Sequence, residues 1–167
     1  FTNKNKLFFF FTNKEETKRT FYHATIDTNN FTLAKLFEDD IYFKFLNYHS
    51  GRIYYSSKEY NWGDVKSFAV SNKDDQKSII PQLYNNLLMH AYFTEHYIIC
   101  KYKNSGANFF NFYNYDGTFV RKIDVPSGMD VVYDYYDEET RDFYFGVYSY
   151  VLPFRNFKIN ILTGAEQ

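Results

Sequence analysis

Short apolar and aromatic runs, each about six residues long and followed by polar turn residues, recur along the whole chain. The clearest run begins at Phe9 and returns at Ile53, Ile98 and Phe143, with spacings of 44, 45 and 45 residues. Aromatic and β-branched runs of this length are typical of β-strands. A period of about 40–50 residues built from short strands indicates the blades of a β-propeller. The pattern therefore predicts an all-β fold, a partial β-propeller.

Each copy of the pattern divides into four predicted strands, with only the first two present in the last copy. The predicted strands are 8–13, 20–26, 33–37, 41–48, 52–57, 65–71, 78–83, 87–93, 97–103, 108–115, 119–125, 130–137, 142–148 and 154–162. Residues 87–93 also suit a short helix, but their position in the repeat favours a strand. The charged stretches 72–77 and 134–142 are predicted to be solvated turns.

The predicted repeats span approximately residues 7–50, 51–95, 96–140 and 141–167, about three and a half four-stranded blades of one propeller domain. A propeller needs about four to eight blades, and the chain begins at Phe1 rather than at a methionine. We therefore expect a fragment of a longer polypeptide. An incomplete ring leaves sheet faces and edges uncovered, so the isolated chain is expected to aggregate. A sharply melting monomer that binds no hydrophobic dye would contradict this expectation.

Composition and charge exclude several classes of function. The net charge is −1 and the predicted pI is near 6.5, whereas a nucleic-acid-binding surface needs a clustered basic excess. The longest apolar run near the start, 7–11, is too short to cross a membrane and lacks a signal-peptide layout. The single cysteine, Cys100, excludes an internal disulfide and fits a reducing compartment. We predict a cytoplasmic location, with neither nucleic acid nor membrane as a partner.

The search for catalytic motifs finds no nucleophile elbow, phosphate loop or paired-cysteine site. The four histidines, 23, 49, 90 and 96, are scattered along the chain, so neither a metal nor another cofactor is predicted. The acidic run from Asp134 to Asp142 lacks the spacing of a calcium loop. Cys100 is predicted to be a buried structural thiol, and Trp62 to pack at a rim.

The C-terminal half resembles the closing blades of the propeller in the prolyl oligopeptidase family of serine peptidases. Residues 97–102 and the run 108–117, NFFNFYNYDG, are similar to that family's strand pair ending in a turn with Asp and Gly. Residues 143–153, FYFGVYSYVLP, are similar to its aromatic run ending in Ser, an aromatic and Pro, and residues 157–164 are similar to the next strand of that family. The oligopeptidase B branch of the family has a similar final blade, so the resemblance does not choose between the two branches.

This resemblance implies a seven-bladed propeller that caps an α/β-hydrolase domain of the same polypeptide and admits only short peptides to a Ser-Asp-His triad. The triad would lie C-terminal to this chain, so no residue here is expected to be catalytic. The propeller would act as a gate that filters substrates by size.

Two residues are expected near the substrate because of the resemblance. The run from Arg19 to His23 is similar to a family strand whose Arg approaches the active site, and His23 stands where the family often has Cys. Arg19 would orient a peptide carbonyl or carboxylate. A hairpin-turn charge and a packed strand histidine are the alternative interpretation, and the more frequent case for such residues.

A second hypothesis from another class is a non-enzymatic propeller that binds proteins through rim side chains such as Tyr60, Trp62 and Tyr150. A third is a relic of a degraded gene. The reading frame downstream of Gln167 discriminates among them, because a peptidase predicts a nucleophile elbow there and a binding scaffold predicts further blades or a stop.

Overall fold

The described part of the chain consists of β-strands, turns and connecting segments. The computed structural model describes residues 2–3, 6–12, 15, 18–27, 30–40, 43–57, 61–151 and 153–165. Its strands are β1 Thr2–Asn3, β2 Lys6–Thr12, β3 Lys18–Asp27, β4 Asn30–Asp40, β5 Phe43–His49, β6 Arg52–Ser57, β7 Val65–Ala69, β8 Asn72–Ile80, β9 Leu87–Phe93, β10 Ile98–Lys103, β11 Asn108–Tyr113, β12 Phe119–Asp124, β13 Asp130–Asp137, β14 Asp142–Tyr148 and β15 Arg155–Asn160. The predicted all-β class is confirmed.

The strands form four antiparallel sheets of sequential neighbours. Sheet A is β1-β2-β3-β4, sheet B is β5-β6-β7-β8, sheet C is β9-β10-β11-β12 and sheet D is β13-β14-β15. Within each sheet, every strand pairs with the next along the chain, which is the arrangement of a meander and needs only short connections. The strand at Leu87–Phe93 is confirmed over the alternative of a helix.

The sheets group the strands one step differently from the predicted repeats. The strand at Phe43–His49, placed last in the first repeat, pairs with β6 and opens sheet B. The turn between them contains only Ser50 and Gly51, with φ of 48° and 79°. Two positive φ values in a two-residue loop make a type I′ turn, which joins neighbours within a hairpin. A sequence period gives the length of a repeat but not which strand begins a sheet.

One predicted turn is a strand. Residues 72–77 were expected to be a solvated turn because they are charged, but they form most of β8, which lies at the edge of sheet B. Their side chains are nearly all exposed. Charged residues on an edge strand oppose pairing with another chain, so the charge here protects a sheet edge.

The chain divides into two compact units, 1–81 and 82–167. In the first unit, sheets A and B share a core of Phe8, Phe21, Ile53, Tyr55 and Phe68. The Phe8 ring lies 5.9 Å from Phe45 and 4.7 Å from Tyr48, measured between ring centroids. Aromatic side chains from both sheets therefore join sheets A and B face to face.

In the second unit, sheets C and D pack through one face each. The shared core is Ile99, Phe110, Phe112, Ile123, Val125, Met129, Phe143, Phe145, Val147, Ile159 and Ile161. Phe110 lies at its centre, with its ring 5.0 Å from those of Phe143 and Phe145. This face-to-face packing brings the edge strands β9 and β13 close together.

Arg52 attaches β8 to the rest of sheet B, and its replacement by Met should loosen that strand. Its guanidinium donates to the Asp75 carboxylate at 2.6 Å, to the Asp75 carbonyl at 2.9 Å and to the Ser67 hydroxyl at 3.0 Å. We expect Arg52→Met to cost about 1–3 kcal/mol of unfolding free energy. Amide exchange of β8 in the folded protein checks this, with the exposed Lys77→Met as control. Equal exchange rates in both variants would contradict the assignment.

Candidate functional site

Three polar side chains from two sheets meet at the edge formed by β9 and β13. The Tyr92 hydroxyl donates to Asp134 Oδ1, and Lys101 Nζ lies 2.5 Å from Asp134 Oδ2. Tyr92 and Lys101 belong to sheet C and Asp134 to sheet D. We call Tyr92, Lys101 and Asp134 the edge cluster. It is the polar junction of the two sheets beside their apolar core.

The register explains why these side chains converge. Lys101 and Ile99 are two positions apart on β10, so their side chains lie on the same face of the strand. That face packs on sheet D. Tyr92 reaches the same core, with its ring 5.2 Å from that of Phe143, and the His90 ring is 4.4 Å from the Tyr92 ring. Asp134 approaches from the facing sheet. The cluster is therefore built by sheet packing, with residues 33 and 42 positions apart in the chain.

Burial controls the electrostatics of the edge cluster. The side chains of Lys101 and Asp134 are 16% and 10% exposed. Removal from water disfavours charge, and it raises the pKa of Asp134 to about 6. Burial, followed by repulsion from Lys103, lowers the pKa of the Lys101 ammonium. Perturbed acids and bases of this kind are concentrated at functional sites, although structural ion pairs show them as well.

A second ion pair joins the same strands nearer to solvent. Lys103 Nζ lies 3.0 Å from Asp130 Oδ1, with side chains 48% and 63% exposed. Asn108 Nδ2 also donates to Asp130 Oδ1, at 3.2 Å. The Lys103 hydrogen bond, and then that from Asn108, lower the pKa of Asp130. The lowered pKa keeps the Asp130 carboxylate ionised, in contrast to the raised pKa of the buried Asp134 beside it.

The stability of the protein should depend on pH through Asp134. Its pKa is about 6 in the folded state, above its ordinary value of 3.8, so the folded state takes up a proton in the interval between the two. The contribution is therefore complete below about pH 4 and is lost as pH rises through 6. We expect the wild type to gain about 2 kcal/mol relative to Asp134→Asn between pH 7 and pH 4.5. Urea titrations of both proteins at several pH values check this, and parallel profiles would contradict it.

At the opposite edge of sheets C and D, a single arginine connects the two sheets. Arg121 on β12 lies over the Phe112 ring at 4.4 Å and donates to the carbonyl of Ile161 at 3.1 Å. The turn beyond β15 contains Gly164 with φ of 74°, and a Cβ at this position would collide with the Arg121 guanidinium. The positive φ favours glycine at this position, and a larger side chain would displace the Arg121 guanidinium.

Two other buried polar groups have structural roles. Asp142 is 4% exposed, and Lys158 Nζ and Asn160 Nδ2 each lie 3.0 Å from its carboxylate. Burial alone would raise the pKa of Asp142, but these partners outweigh it and lower the pKa. Cys100 is fully buried, as predicted, and burial raises the pKa of its thiol. A thiol held protonated in this way is unreactive.

The two residues expected near a substrate lie on β3 in the first unit. Arg19 pairs with Thr12 and Asp39, and its side chain lies outside the described residues. His23 pairs with Phe8 and Ala34, and its ring is tilted against that of Phe8 at 6.3 Å. The packing of His23 agrees with the structural alternative. The substrate-proximal role of both residues stays a prediction.

Within the described ranges, no group of three or more His, Cys, Asp or Glu side chains is placed to hold a metal ion. The same residues contain no helix long and apolar enough to cross a membrane. Trp62 lies in a turn before β7 and is half-buried. Tyr60, named as a rim residue of a binding scaffold, is outside the described residues.

Comparisons with known proteins bear on the fold. No family model and no curated protein matches the sequence. Several solved structures do match. A prolyl endopeptidase matches at 14% identity with a TM-score of 0.72, and the match covers 98% of this chain. A post-proline cleaving enzyme from Rickettsia typhi matches at 11% identity with a TM-score of 0.70, covering 98%. Oligopeptidase B from Leishmania major matches at 10% identity with a TM-score of 0.67, covering 99%.

The fold of this chain is that of the prolyl oligopeptidase propeller. The predicted resemblance is confirmed at the level of fold, and both the prolyl endopeptidase and the oligopeptidase B branches are represented. The chain spans about a quarter of each of these solved chains, between 26% and 27%. Its four sheets are propeller blades, and the edge cluster lies where the blades formed by sheets C and D meet.

The edge cluster was missed by sequence reasoning, which assigned Asp134 to a solvated acidic turn. Asp134 lies instead within β13 and faces the neighbouring blade. A signal was present, because Asp134 stands among valines and tyrosines inside a predicted strand, unlike the consecutive acids 137–139. The partner Lys101 likewise interrupts an apolar strand. Isolated charges inside apolar strands on facing sheets are the pattern to search for.

Proposed function

We propose that this chain is part of the propeller that screens substrates in a serine peptidase of the prolyl oligopeptidase type, with the catalytic α/β-hydrolase domain elsewhere in the same polypeptide. The observation that carries the proposal is the match of nearly the whole chain to propellers of prolyl endopeptidases and oligopeptidase B. The coverage of only a quarter of those chains leaves room for a catalytic domain.

The proposed mechanism is size exclusion. Blades surround a central channel, and a rigid wall admits extended short peptides while it rejects folded proteins. The C–D junction supports this role, because a fully apolar core and two ion pairs hold neighbouring blades together. The substrates would be short peptides, the location cytoplasmic, and the chemistry would need no cofactor from this chain.

The first test is the reading frame on both sides of this segment in the source transcript. We expect a Gly-x-Ser-x-Gly motif downstream, and beyond it an Asp and then a His. The whole polypeptide should then cleave a proline-containing octapeptide but not the same sequence placed inside a folded domain. A frame that ends soon after Gln167, or continues only as further blades, would overturn the peptidase proposal.

A second candidate is a propeller scaffold that binds other proteins. The loop after β14 favours it, because Tyr150 and Val151 are 98% and 88% exposed. Exposed aromatic side chains are enriched at protein interfaces. Under this proposal the downstream frame carries no hydrolase motif, and Tyr150→Ala abolishes capture of the partner.

A further inference from the structure

The loops at the two ends of the second unit differ in charge. Within sheets C and D each strand runs opposite to its neighbour, so successive loops alternate between the two ends of the sheets. One end carries the loops 82–86, 104–107, 125–129 and 149–154, and the other carries 94–97, 114–118, 138–141 and 161–165. We call these two ends the uncharged rim and the acidic rim.

Contacts between the two sheets show that their ends are aligned. Arg141 Nη2 lies 3.3 Å from Glu95 Oε2, which joins an acidic-rim loop of sheet D to one of sheet C. At the opposite end, Lys103 closes β10 and pairs at 3.0 Å with Asp130, which opens β13. The loops of each rim therefore belong to one end of the C–D pair.

The loops of the uncharged rim contain no acid, no base and no histidine. Their sequences are QLYNN, NSGA, VPSGM and SYVLPF, although 23% of the whole chain is charged. The strand ends beside them carry charges, of which Lys103 pairs with Asp130. The loops of the acidic rim contain Glu95, Asp116, Glu138, Glu139 and Arg141. Charge is therefore segregated to one end of the two sheets.

The uncharged rim nevertheless exposes large side chains. Tyr84 is 73% exposed before β9 of sheet C, and Tyr150 and Val151 are 98% and 88% exposed between β14 and β15 of sheet D. These residues lie in loops at strand ends and not on a sheet face. The buried parts of protein interfaces are enriched in aromatic residues and depleted of Lys, Asp and Glu. This rim has the composition of such an interface.

Hydrogen bonds hold the loops of the uncharged rim in place. Asn86 Nδ2 donates to the Tyr84 carbonyl at 2.7 Å, and Asn104 Nδ2 donates to Asn86 Oδ1 at 3.2 Å, which links two of the loops. In a third loop, the Met129 amide donates to the Pro126 carbonyl at 3.1 Å. A surface that is already ordered loses little conformational entropy on binding. The rim is therefore a preformed docking surface.

The absence of charge favours a partner that is tethered to this chain. Charges at an interface mainly accelerate the encounter of separate molecules and exclude wrong partners. A domain of the same polypeptide is kept nearby at a high effective concentration, so it needs no such steering. This chain spans only 26% and 27% of the prolyl endopeptidase and oligopeptidase B chains that it matches. A second domain is thus the occupant that fits best.

We propose that the uncharged rim docks on the catalytic α/β-hydrolase domain of the same polypeptide, while the acidic rim stays in water. The inference rests on the proposed function, and it adds which end of these blades meets the catalytic domain and through which contacts. Because the rim loops offer neither a carboxylate nor an ammonium group, they form no ion pairs with that domain. Salt should therefore not weaken this contact.

The test is hydroxyl-radical footprinting of the whole polypeptide, with each oxidation rate corrected for the intrinsic reactivity of the residue type. Phe119 is the internal reference, because it is 54% exposed at the start of β12, beside the acidic rim. We expect Tyr84 and Tyr150 to be oxidised at least about tenfold more slowly than Phe119, at about 50 mM and about 500 mM sodium chloride alike.

Two variants with matched changes test the same contact. Tyr150→Lys places an ammonium group on the uncharged rim, and Leu162→Lys places one on the acidic rim at a side chain that is 45% exposed. We expect Tyr150→Lys to raise the oxidation rate of Tyr84 about fivefold or more, because a buried unpaired charge opens the interface. Leu162→Lys should leave that rate unchanged. Circular dichroism checks that each variant folds, and Tyr150→Ser replaces a lysine variant that does not.

The outcomes separate this inference from the proposed function. A polypeptide that cleaves the octapeptide but oxidises Tyr84 and Tyr150 as fast as Phe119 would overturn the docking and leave the peptidase standing. Protection of Tyr150 alone would also overturn it, because a neighbouring blade can cover that one loop. Protection that requires a second protein would overturn it in favour of the binding scaffold. A reading frame without a hydrolase motif would overturn both proposals.

Discussion

Phe110→Ala should remove about 3–5 kcal/mol of unfolding free energy from the second unit. The side chain is fully buried and contacts the rings of Phe143 and Phe145 across the C–D interface. The truncation leaves a cavity between two sheets that cannot close without losing their other contacts. Since whole domains have about 5–15 kcal/mol of stability, this one change should unfold a substantial fraction of the chain. Urea denaturation followed by near-ultraviolet circular dichroism measures the loss.

The matched control is Phe119→Ala on the same sheet. Phe119 is 54% exposed and touches Tyr113 at its edge, so its truncation should cost less than about 1 kcal/mol. If both truncations lower the unfolding free energy equally, the C–D interface is not the core of the second unit. The assigned packing of sheet C on sheet D would then be wrong.

The buried ion pair Lys101–Asp134 should show strong coupling in a double-mutant cycle. Asp134→Leu leaves the Lys101 ammonium buried without its carboxylate, and we expect a loss of about 2–4 kcal/mol. Lys101→Met should cost less, because the pKa of Asp134 is already about 6 and its carboxyl can take up a proton. The double variant, with two apolar side chains of similar size, should return to within about 1 kcal/mol of the wild type. Denaturant midpoints at pH 7 of the four proteins provide the measurement.

The neighbouring pair Lys103–Asp130 is the control for this cycle because it joins the same two strands. Its side chains are about half exposed, and exposed pairs contribute only about 0.2–1 kcal/mol. The same replacements there should give a small coupling energy. Strictly additive losses at Lys101 and Asp134 would show that the edge cluster is not an interacting unit.

The two pairs also define how the C–D junction could work in a gate. An apolar core fixes the distance between the sheets, while the edge cluster fixes their register. If the proposed peptidase exists as a whole polypeptide, the double variant should keep the fold, and its cleavage of short peptides would then report on the junction alone.

Much of the fold could be predicted from alternation, turn residues and the period of 44–45 residues. The strand Leu87–Phe93 was assigned from its place in the repeat, where its composition alone was ambiguous. The sequence period did not reveal which strand begins each sheet. The turn at Ser50 and Gly51 joins two hydrogen-bonded strands that the period assigned to different repeats. The strand β8 was predicted to be a turn because its residues are charged. In the structure these charges lie on an edge strand.

The sequence by itself determined the all-β class, and it showed a recurring unit of 44–45 residues. Local preferences and spacing suffice for these, because they depend on residues that are close in the chain. Only the tertiary structure placed Asp134 against Lys101 and Tyr92, and only it packed Phe110 against Phe143 and Phe145. Those features depend on which faces of distant strands meet, and the energy of sheet packing, which no local pattern records, makes that choice.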